Sequence, residues 1–275
     1  MRTWLITGAG SGIGKEIARN AIVIGDCVAV TSRNEEKVKD LVALAPERVL
    51  PVALEVTDEA SGKAAVEETV RKFGTLDVLV NNAGRGLQAP LEDTTSEDMH
   101  LLFETNYFGA VRMIQYALPY LRKSEKAAIV NVSSMGVHFD NAVGNAIYVS
   151  TKAALDMTTT VLRNEVRPFN IQVMLVEPGA FRTNFRVEGV SPHGERKDDL
   201  YKESYASVDN LKNNPFNQPG DPAKAGKIIV DQVNQEKIPE ILVLGDGMAD
   251  AEMSSLRERI WKIRGVSEIG DHADF

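Results

Sequence analysis

The sequence has a single cysteine, no excess of basic residues and no long hydrophobic run. Cys27 cannot form a disulfide within the chain, which is typical of proteins from a reducing compartment. The 31 lysines and arginines are outnumbered by 39 aspartates and glutamates, and the formal charge is −8. The phosphate backbone of a nucleic acid attracts cations and repels an acidic protein, so we predict no nucleic-acid partner. The apolar runs are shorter than the roughly 18 residues of a membrane span, and no signal-like pattern opens the chain, so we predict a cytoplasmic protein without a membrane partner.

Short apolar segments alternate with longer segments of helical periodicity along the 275 residues. Near-continuous apolar strands are typical of a parallel sheet with helices on both faces, joined by right-handed crossovers. The predicted strands are residues 3–7, 27–31, 49–53, 78–80, 128–132, 171–176 and 241–244. No linker or repeat interrupts the alternation. The sequence therefore predicts one domain over residues 1–275, an α/β fold with a single doubly wound, Rossmann-type parallel sheet.

The predicted helices begin at polar capping residues. Asn34 precedes two glutamates, and Thr95 opens a long helix that ends near Arg122. Further predicted helices are residues 147–167, 221–235 and 249–264, the last within a C-terminal helix and tail over 249–275. These segments supply the covering layers of the sheet.

One segment departs from this pattern. Residues 184–219 follow the sixth strand, are polar and of mixed charge, and contain three prolines. A poorly patterned insert of this length in a compact domain is usually a functional loop. We predict a substrate lid over residues 184–219, and the alternative is a surface loop without function.

A glycine-rich segment, Thr7-Gly8-Ala9-Gly10-Ser11-Gly12-Ile13-Gly14, joins the first strand to the first helix. Glycines let the backbone turn sharply and approach a pyrophosphate, and the helix N-terminus offers free N–H groups and the positive end of its dipole. The position predicts a dinucleotide cofactor, whereas a tight turn is the alternative. The predicted contacts in this segment are Gly8, Ser11, Gly12, Ile13 and Gly14.

Five further motifs follow this glycine spacing in order. They are Asn81-Asn82-Ala83-Gly84, Asn106 in Thr105-Asn106-Tyr107-Phe108-Gly109, Asn131-Val132-Ser133-Ser134, Tyr148-x-x-x-Lys152, and Pro178-Gly179 with Thr183. Together they resemble the short-chain dehydrogenase/reductase family and, within it, hydroxysteroid dehydrogenase-like, NADP-preferring oxidoreductases. The resemblance implies a homodimer or homotetramer. It also implies cofactor contacts from Asn82, Ala83, Gly84, Tyr148, Lys152, Pro178, Gly179 and Thr183.

The end of the second strand indicates which nicotinamide is bound. NAD-binding folds often place an acidic residue here, and its carboxylate would repel a 2′-phosphate. This chain has Ser32 and then Arg33. A hydroxyl beside a planar cation suits a phosphate, so we predict NADP(H), with a solvated arginine as the alternative. Glu55, followed by Val56, stands where relatives commonly have aspartate, and both are predicted adenine-side contacts.

Tyr148 and Lys152 are four residues apart, so they share one helix face. A free tyrosine with a pKa near 10 is a poor acid or base at neutral pH, and a nearby ammonium lowers that pKa. The pair therefore predicts a proton donor for a developing alkoxide. An exposed helix pair is the alternative.

Ser134 and Asn106 complete the predicted catalytic group. Ser134 would hydrogen-bond the substrate oxygen, with Ser133 as an adjacent rival and a backbone-satisfied serine as the alternative. It precedes Tyr148 by 14 residues, whereas relatives usually have 13, so the loop between them holds one extra residue. The resemblance implies that Asn106 distorts its helix and holds a water leading to Lys152. A solvent-facing helix residue is the alternative.

The four histidines have no metal-ligand spacing, and we predict no metal site. They are His100, His138, His193 and His272. His138 lies between the predicted serine and tyrosine and could contact substrate. Phe139, Phe181 and Phe185 flank the same region and are weaker candidates, since aromatic residues are more often part of a core.

These observations predict an NADP(H)-dependent oxidoreductase that transfers hydride between nicotinamide and a carbonyl or secondary alcohol, with reduction of a ketone or aldehyde as the expected direction. The partner is a small-molecule substrate. A catalytically silent NADP-binding regulator is one alternative, since a fold alone does not imply turnover. A cofactor-assisted isomerase or dehydratase is another.

Overall fold

The computed structural model describes residues 1–140, 142–186, 191–192, 200–213 and 216–270. Its centre is a seven-stranded, entirely parallel sheet in the order β3-β2-β1-β4-β5-β6-β7. The strands are β1 (Thr3–Ile6), β2 (Cys27–Ser32), β3 (Val49–Ala53), β4 (Val78–Asn81), β5 (Ala128–Val132), β6 (Gln172–Pro178) and β7 (Ile241–Leu244). All seven predicted strands are confirmed, with ends shifted by at most two residues.

The chain enters the sheet at β1, in the interior of the sheet, and leaves it at the edge strand β7. From β1 it runs outward to β3, then crosses back so that β4 pairs with the other edge of β1. The strand order therefore reverses between β1 and β4. In an open parallel sheet this reversal opens a crevice at the carboxyl ends of the strands, where ligands bind.

Helices cover both faces of the sheet. They are α1 (Gly12–Val23), α2 (Lys39–Val42), α3 (Glu59–Phe73), α4 (Ser96–Phe103), α5 (Gly109–Leu121), α6 (Ala146–Val166), α7 (Lys202–Asn213), α8 (Pro222–Val233), α9 (Met248–Arg264) and α10 (Ser267–Gly270). The predicted caps are confirmed, since Asn34 accepts a hydrogen bond from the Glu36 N–H and Thr95 accepts one from the Asp98 N–H. No helix within these described ranges is long and apolar enough to cross a membrane.

Two structural features differ from the predicted pattern. The long helix expected up to Arg122 is interrupted by a π-helical turn, Glu104–Phe108, between α4 and α5. Helix α7 lies inside the predicted lid, where the sequence pattern indicated no helix. Thirteen of the 36 residues of that predicted lid lie outside the described residues, namely 187–190, 193–199 and 214–215. Residue 141 and the tail from 271 lie outside them as well.

The core forms one layer on each face of the sheet. Side chains of α1 and α8 pack with one face, whereas those of α3, α5 and α6 pack with the other. Helices α1 and α8 are in close contact, because a β-carbon on Gly226 would lie only 2.5 Å from the Glu16 carbonyl carbon. The buried Trp4 indole N–H donates to Asp26 at 2.8 Å, which satisfies the one polar group of that side chain. This packing fixes the carboxyl ends of the strands, where the site lies.

Candidate active site

A cavity of about 600 Å³ lies at the carboxyl ends of the strands, across the point where the strand order reverses. Most of the predicted site residues line it. These are Gly8, Ser11, Gly12, Ile13, Ser32, Arg33, Glu55, Val56, Asn82, Ala83, Gly84, Ser134, Tyr148, Lys152, Pro178, Gly179 and Thr183. Gly14 and Asn106 do not line the cavity. The fold thus brings predicted site residues from five of the six motifs, together with the pairs Ser32–Arg33 and Glu55–Val56, to one place.

The glycine loop has the geometry that a bound pyrophosphate requires. Gly8 and Gly12 adopt φ values of +70° and +58°, in the left-handed region that disfavours residues with a β-carbon. A β-carbon on Gly12 would meet Thr183 at 3.2 Å, so the loop after β6 closes against the glycine loop. The Ser11 side chain makes no capping bond at the start of α1, which leaves the helix N–H groups free for an anion. These residues fit a dinucleotide cofactor.

Gly14, a predicted cofactor contact, does not line the cavity. It is buried in α1, and a β-carbon there would lie 2.2 Å from the Asn82 side-chain nitrogen. Asn82 in turn donates to the Thr7 and Gly8 carbonyl oxygens at 3.0 and 3.2 Å. Thr7 Oγ1 accepts from the backbone N–H groups of Asn82 and Ala83, both at 2.9 Å. Gly14 therefore allows the loop that directly follows β4 to brace the glycine loop.

The end of β2 presents a basic side chain at the cavity. Arg33 is 69% exposed, and its Nη1 lies 4.0 Å from Glu55 Oε2. The Ser32 hydroxyl faces the glycine loop, because a β-carbon on Gly10 would lie 2.9 Å from Ser32 Oγ. Lys37, which the sequence analysis did not select, lines the same end of the cavity. This end therefore carries two cations and one carboxylate.

The environment of Tyr148 differs from the expected one. Burial raises the pKa of Tyr148 to about 12, the Ser134 hydroxyl and Arg186 oppose the rise, and Asp156 adds to it. The predicted lowering by Lys152 is wrong for this structure, because the Lys152 ammonium donates instead to the Val132 carbonyl oxygen at 2.8 Å. A raised pKa keeps the hydroxyl protonated at neutral pH but makes it a weaker acid, so a cation close to the phenol would be needed for efficient proton donation.

Lys152 is itself unusual. It is 4% exposed, and burial lowers its pKa to about 8, while Asp156 on the next turn of α6 opposes this. A buried ammonium held by one carbonyl oxygen has two further protons to donate. The side chain lines the cavity, so these protons can bind a ligand there.

Ser134 stands at the end of β5 and caps the short 3₁₀ helix Met135–His138. Its oxygen accepts from the Gly136 N–H at 3.1 Å, and its hydroxyl is hydrogen-bonded to Tyr148, an interaction that lowers the pKa of that tyrosine. The 3₁₀ helix lies in the loop that holds the extra residue before Tyr148. Ser133, the rival, is 4% exposed and also lines the cavity.

Asn106 lies behind the cavity, at the centre of the π-helical turn. Its amide nitrogen donates to the Arg85 carbonyl oxygen at 2.9 Å and to Thr151 Oγ1 at 3.0 Å. Its oxygen accepts from the Arg85 N–H at 2.8 Å. The helix distortion implied by the resemblance is present, but the side-chain amide is engaged by protein groups. Asn106 therefore positions Arg85 and α6.

His138 was considered a substrate contact, but it does not line the cavity and faces α9. Its Nε2 lies 2.7 Å from Glu177 and 3.5 Å from Glu252. The hydrogen bond to Glu177 raises the pKa of His138, with burial opposing and Glu252 and Asp156 adding to the rise. The ligand-type atoms of His138, Glu177 and Glu252 lie within 4.8 Å of one another. The sequence spacing did not reveal this cluster, which ties the C-terminal helix to the loop after Ser134.

We expect His138→Gln to lower the free energy of unfolding most near about pH 6 and least near about pH 9. Because the folded pKa of His138 is raised, the stabilisation is complete below the unfolded value of about 6.5 and is lost as the pH rises through the folded value. Chemical denaturation across this range measures the effect. His100→Gln, on the exposed side of α4, is the control, and a loss independent of pH would contradict the interpretation.

Sequence reasoning missed other cavity residues. Phe139, Phe181 and Phe185 do line the cavity, as considered, and the Phe185 and Tyr148 ring centroids are 5.5 Å apart. Arg85, Arg186 and Met248 line it too and were not selected. Arg85 directly follows the Asn81–Gly84 motif and Arg186 comes three residues after Thr183. Their places next to recognised motifs are the signal that could have found them.

A glycine loop at the strand reversal, with Ser134, Tyr148 and Lys152 at the same cavity, defines the class of dinucleotide-dependent oxidoreductases. The family model described as short chain dehydrogenase matches residues 2–192. The chain belongs to this short-chain dehydrogenase/reductase family, whose members are oxidoreductases that act on the CH–OH/C=O pair with a nicotinamide cofactor.

Three similar proteins cover about three quarters or more of the chain, up to its full length. "Oxidoreductase BOA17" of Botryotinia fuckeliana is 33% identical over 268 residues, covering 95% of this chain and 97% of that protein. An "NADP-dependent 3-hydroxy acid dehydrogenase" of Schizosaccharomyces pombe is 35% identical over 211 residues, covering 74% and 80%. The crystal structure of a short-chain dehydrogenase from Streptomyces avermitilis is 37% identical, covers 100% of this chain and 99% of that one, and superposes with a TM-score of 0.91.

Proposed function

We propose that the protein is an NADP(H)-dependent reductase of a ketone or aldehyde. The observation that carries the choice of cofactor is the pair Ser32 and Arg33 at the cavity, where an NAD-binding fold often has a carboxylate. A guanidinium attracts the 2′-phosphate that distinguishes NADP, and a serine hydroxyl can donate to it. The name of the Schizosaccharomyces pombe relative, NADP-dependent, supports the same choice.

The glycine loop, Arg33 and Lys152 would hold the cofactor, and bound NADPH supplies a hydride to the carbonyl carbon. Tyr148 donates its hydroxyl proton to the carbonyl oxygen as negative charge develops there. Ser134 donates a hydrogen bond to the same oxygen, which stabilises that charge. The Lys152 ammonium, which donates to the Val132 carbonyl oxygen, has two further protons that would bind the cofactor. Reduction is the expected direction because NADPH usually serves as a reductant.

The cofactor preference can be tested by the double substitution Ser32→Asp and Arg33→Ala. We expect the dissociation constant for NADPH to rise by about 10- to 100-fold, the effect of one lost charge-assisted contact, and NADH to become the tighter ligand. Nicotinamide fluorescence titration measures both constants. The matched control is Arg71→Ala, which removes an exposed arginine on α3.

Unchanged affinity for both nucleotides in the double variant would sink the assignment of Arg33. The proposed turnover is tested separately, by following NADPH consumption over a panel of ketones and aldehydes. A silent regulator would bind NADPH without consuming it, and an isomerase or dehydratase would convert substrate without net consumption. Either outcome would replace the proposed function.

A further inference from the structure

The charge lining the cavity is opposite to the charge of the chain. Among the described residues that line it, the cationic side chains outnumber the acidic ones five to one, although the chain has a formal charge of −8. The cations are Arg33, Lys37, Arg85, Lys152 and Arg186, and the acid is Glu55. A cleft of one sign concentrates ligands of the other. Arg33, Lys37 and Glu55 lie at the end of the cavity near β2, and Lys152 lies on the same helix as Tyr148. The proposed binding of cofactor and reduction of the carbonyl group use neither Arg85 nor Arg186.

These two arginines lie on segments that meet beside the reacting end of the cavity. Arg186 follows Phe185, whose ring packs 5.5 Å from that of Tyr148. A β-carbon on Gly86, the residue after Arg85, would lie 3.3 Å from the Phe185 ring. On the other side of Arg85, a β-carbon on Gly84 would lie 3.5 Å from the Lys152 ammonium. Both arginines therefore flank the place where the carbonyl group must lie.

Neither guanidinium has an acidic partner within 4.0 Å in the part of the chain that the structure describes. Arg85 is anchored through its backbone by Asn106, and its buried Nε has no hydrogen-bond acceptor. Arg186 is partly buried, and burial lowers its pKa, while the nearby Tyr148 hydroxyl opposes this. Removing a charge from water without a counter-ion is costly, and an anionic ligand would offset the cost.

We propose that the substrate carries a carboxylate close to its carbonyl group and that Arg186 and Arg85 bind it. A guanidinium fork matches the two oxygens of a carboxylate, and an oxo acid is the substrate class with both groups. The inference rests on the proposed reduction. The carbonyl carbon gains a hydride from NADPH, the oxygen gains a proton from Tyr148, NADP⁺ is released and the carboxylate is unchanged. The product is the hydroxy acid.

The test compares 3-oxo acids of four to eight carbons with their isosteric, neutral 3-oxo amides. For the best acid, we expect the wild-type kcat/KM to exceed that for its amide by about 10- to 100-fold, the effect of a charge-assisted contact. Arg186→Gln should remove this difference, mainly by raising the KM for the acid. Arg186→Lys should restore part of it, because a point charge attracts the anion without the fork. Arg71→Gln, on the exposed face of α3, is the control.

The outcomes separate the inference from the proposed function. If the wild type has the same kcat/KM for the amides as for the acids, the carboxylate site is wrong. If Arg186→Gln slows the reduction of acids and amides by the same factor, Arg186 acts on Tyr148 and the carboxylate site is likewise wrong. If no carbonyl compound is reduced, the proposed function fails, and thermal shifts with NADP⁺ and each acid then decide the inference. A shift that Arg186→Gln abolishes would support an anion site, whereas no shift would overturn it. Matched 2-oxoalkyl phosphonates test whether a phosphonate replaces the carboxylate, and a preference for them would overturn the oxo-acid class.

Discussion

Tyr148→Phe should reduce the single-turnover rate of NADPH oxidation by about 10²–10⁴-fold, the usual worth of a positioned general acid. The substitution removes only the hydroxyl, so the ring can still pack against Phe185. The glycine loop and Lys152 remain, and NADPH should bind as tightly as before. Stopped-flow absorbance with an accepted carbonyl substrate measures the chemical step apart from binding.

Tyr107→Phe is the matched control for this substitution. The Tyr107 hydroxyl lies 3.1 Å from Thr158 Oγ1, and Tyr107 does not line the cavity. Loss of this hydroxyl should therefore leave the single-turnover rate within about twofold of the wild-type rate. Ser134→Ala should slow the step by about 10²–10³-fold. Because the two hydroxyls act on one oxygen, the double variant should lose much less than the product of the single losses. A Tyr148→Phe enzyme that keeps more than about a tenth of the rate would contradict the assignment.

Gly14→Ala should destabilise the fold by about 1–3 kcal/mol and weaken NADPH binding by at least about tenfold, although Gly14 does not line the cavity. The added methyl group would lie 2.2 Å from the Asn82 nitrogen and 2.8 Å from the Gly8 carbonyl oxygen. Asn82 would have to move, and its hydrogen bonds to Thr7 and Gly8 would break. Thermal denaturation and nucleotide titration measure the two effects.

Gly265→Ala is the comparison for this substitution. Gly265 ends α9 with a φ of −63°, and the nearest atom to an added β-carbon is 3.5 Å away, an ordinary contact. Its stability and affinity should match the wild type. A Gly14→Ala protein with an unchanged melting temperature would show that the contact between α1 and Asn82 does not brace the loop.

The five inner strands were predictable because they are largely buried on both faces, which leaves a near-continuous apolar run such as Ala128–Val132. The glycine loop was predictable because it needs residues with positive φ, and glycine is the residue type that adopts positive φ without strain. The caps at Asn34 and Thr95 are local in the same way, since a side chain bonds to an N–H two or three residues later. All three signals lie within a few neighbouring residues.

What the sequence did not predict depends on contacts between distant segments. Gly14, on α1, fits a cofactor motif by spacing, yet its neighbour is Asn82 in the loop after β4. Spacing on α6 suggested that Lys152 lowers the pKa of Tyr148, but burial by the surrounding fold dominates. His138 meets Glu177 and Glu252 only because β6 and α9 converge on its loop. The π-helical turn at Asn106 likewise depends on hydrogen bonds to Arg85 and Thr151.

The contact between Gly12 and Thr183 has a consequence for how the molecule is made. The two residues are separated by more than half of the chain, yet they face each other across the glycine loop. During synthesis the glycine loop leaves the ribosome early, whereas Thr183 is added only after all residues of β1 to β6 have been translated. Contacts of such long range form late in folding, because chain closure costs entropy before the contact stabilises anything. High-affinity nucleotide binding should therefore be acquired near the end of folding, and nascent chains that stop before residue 183 should lack it.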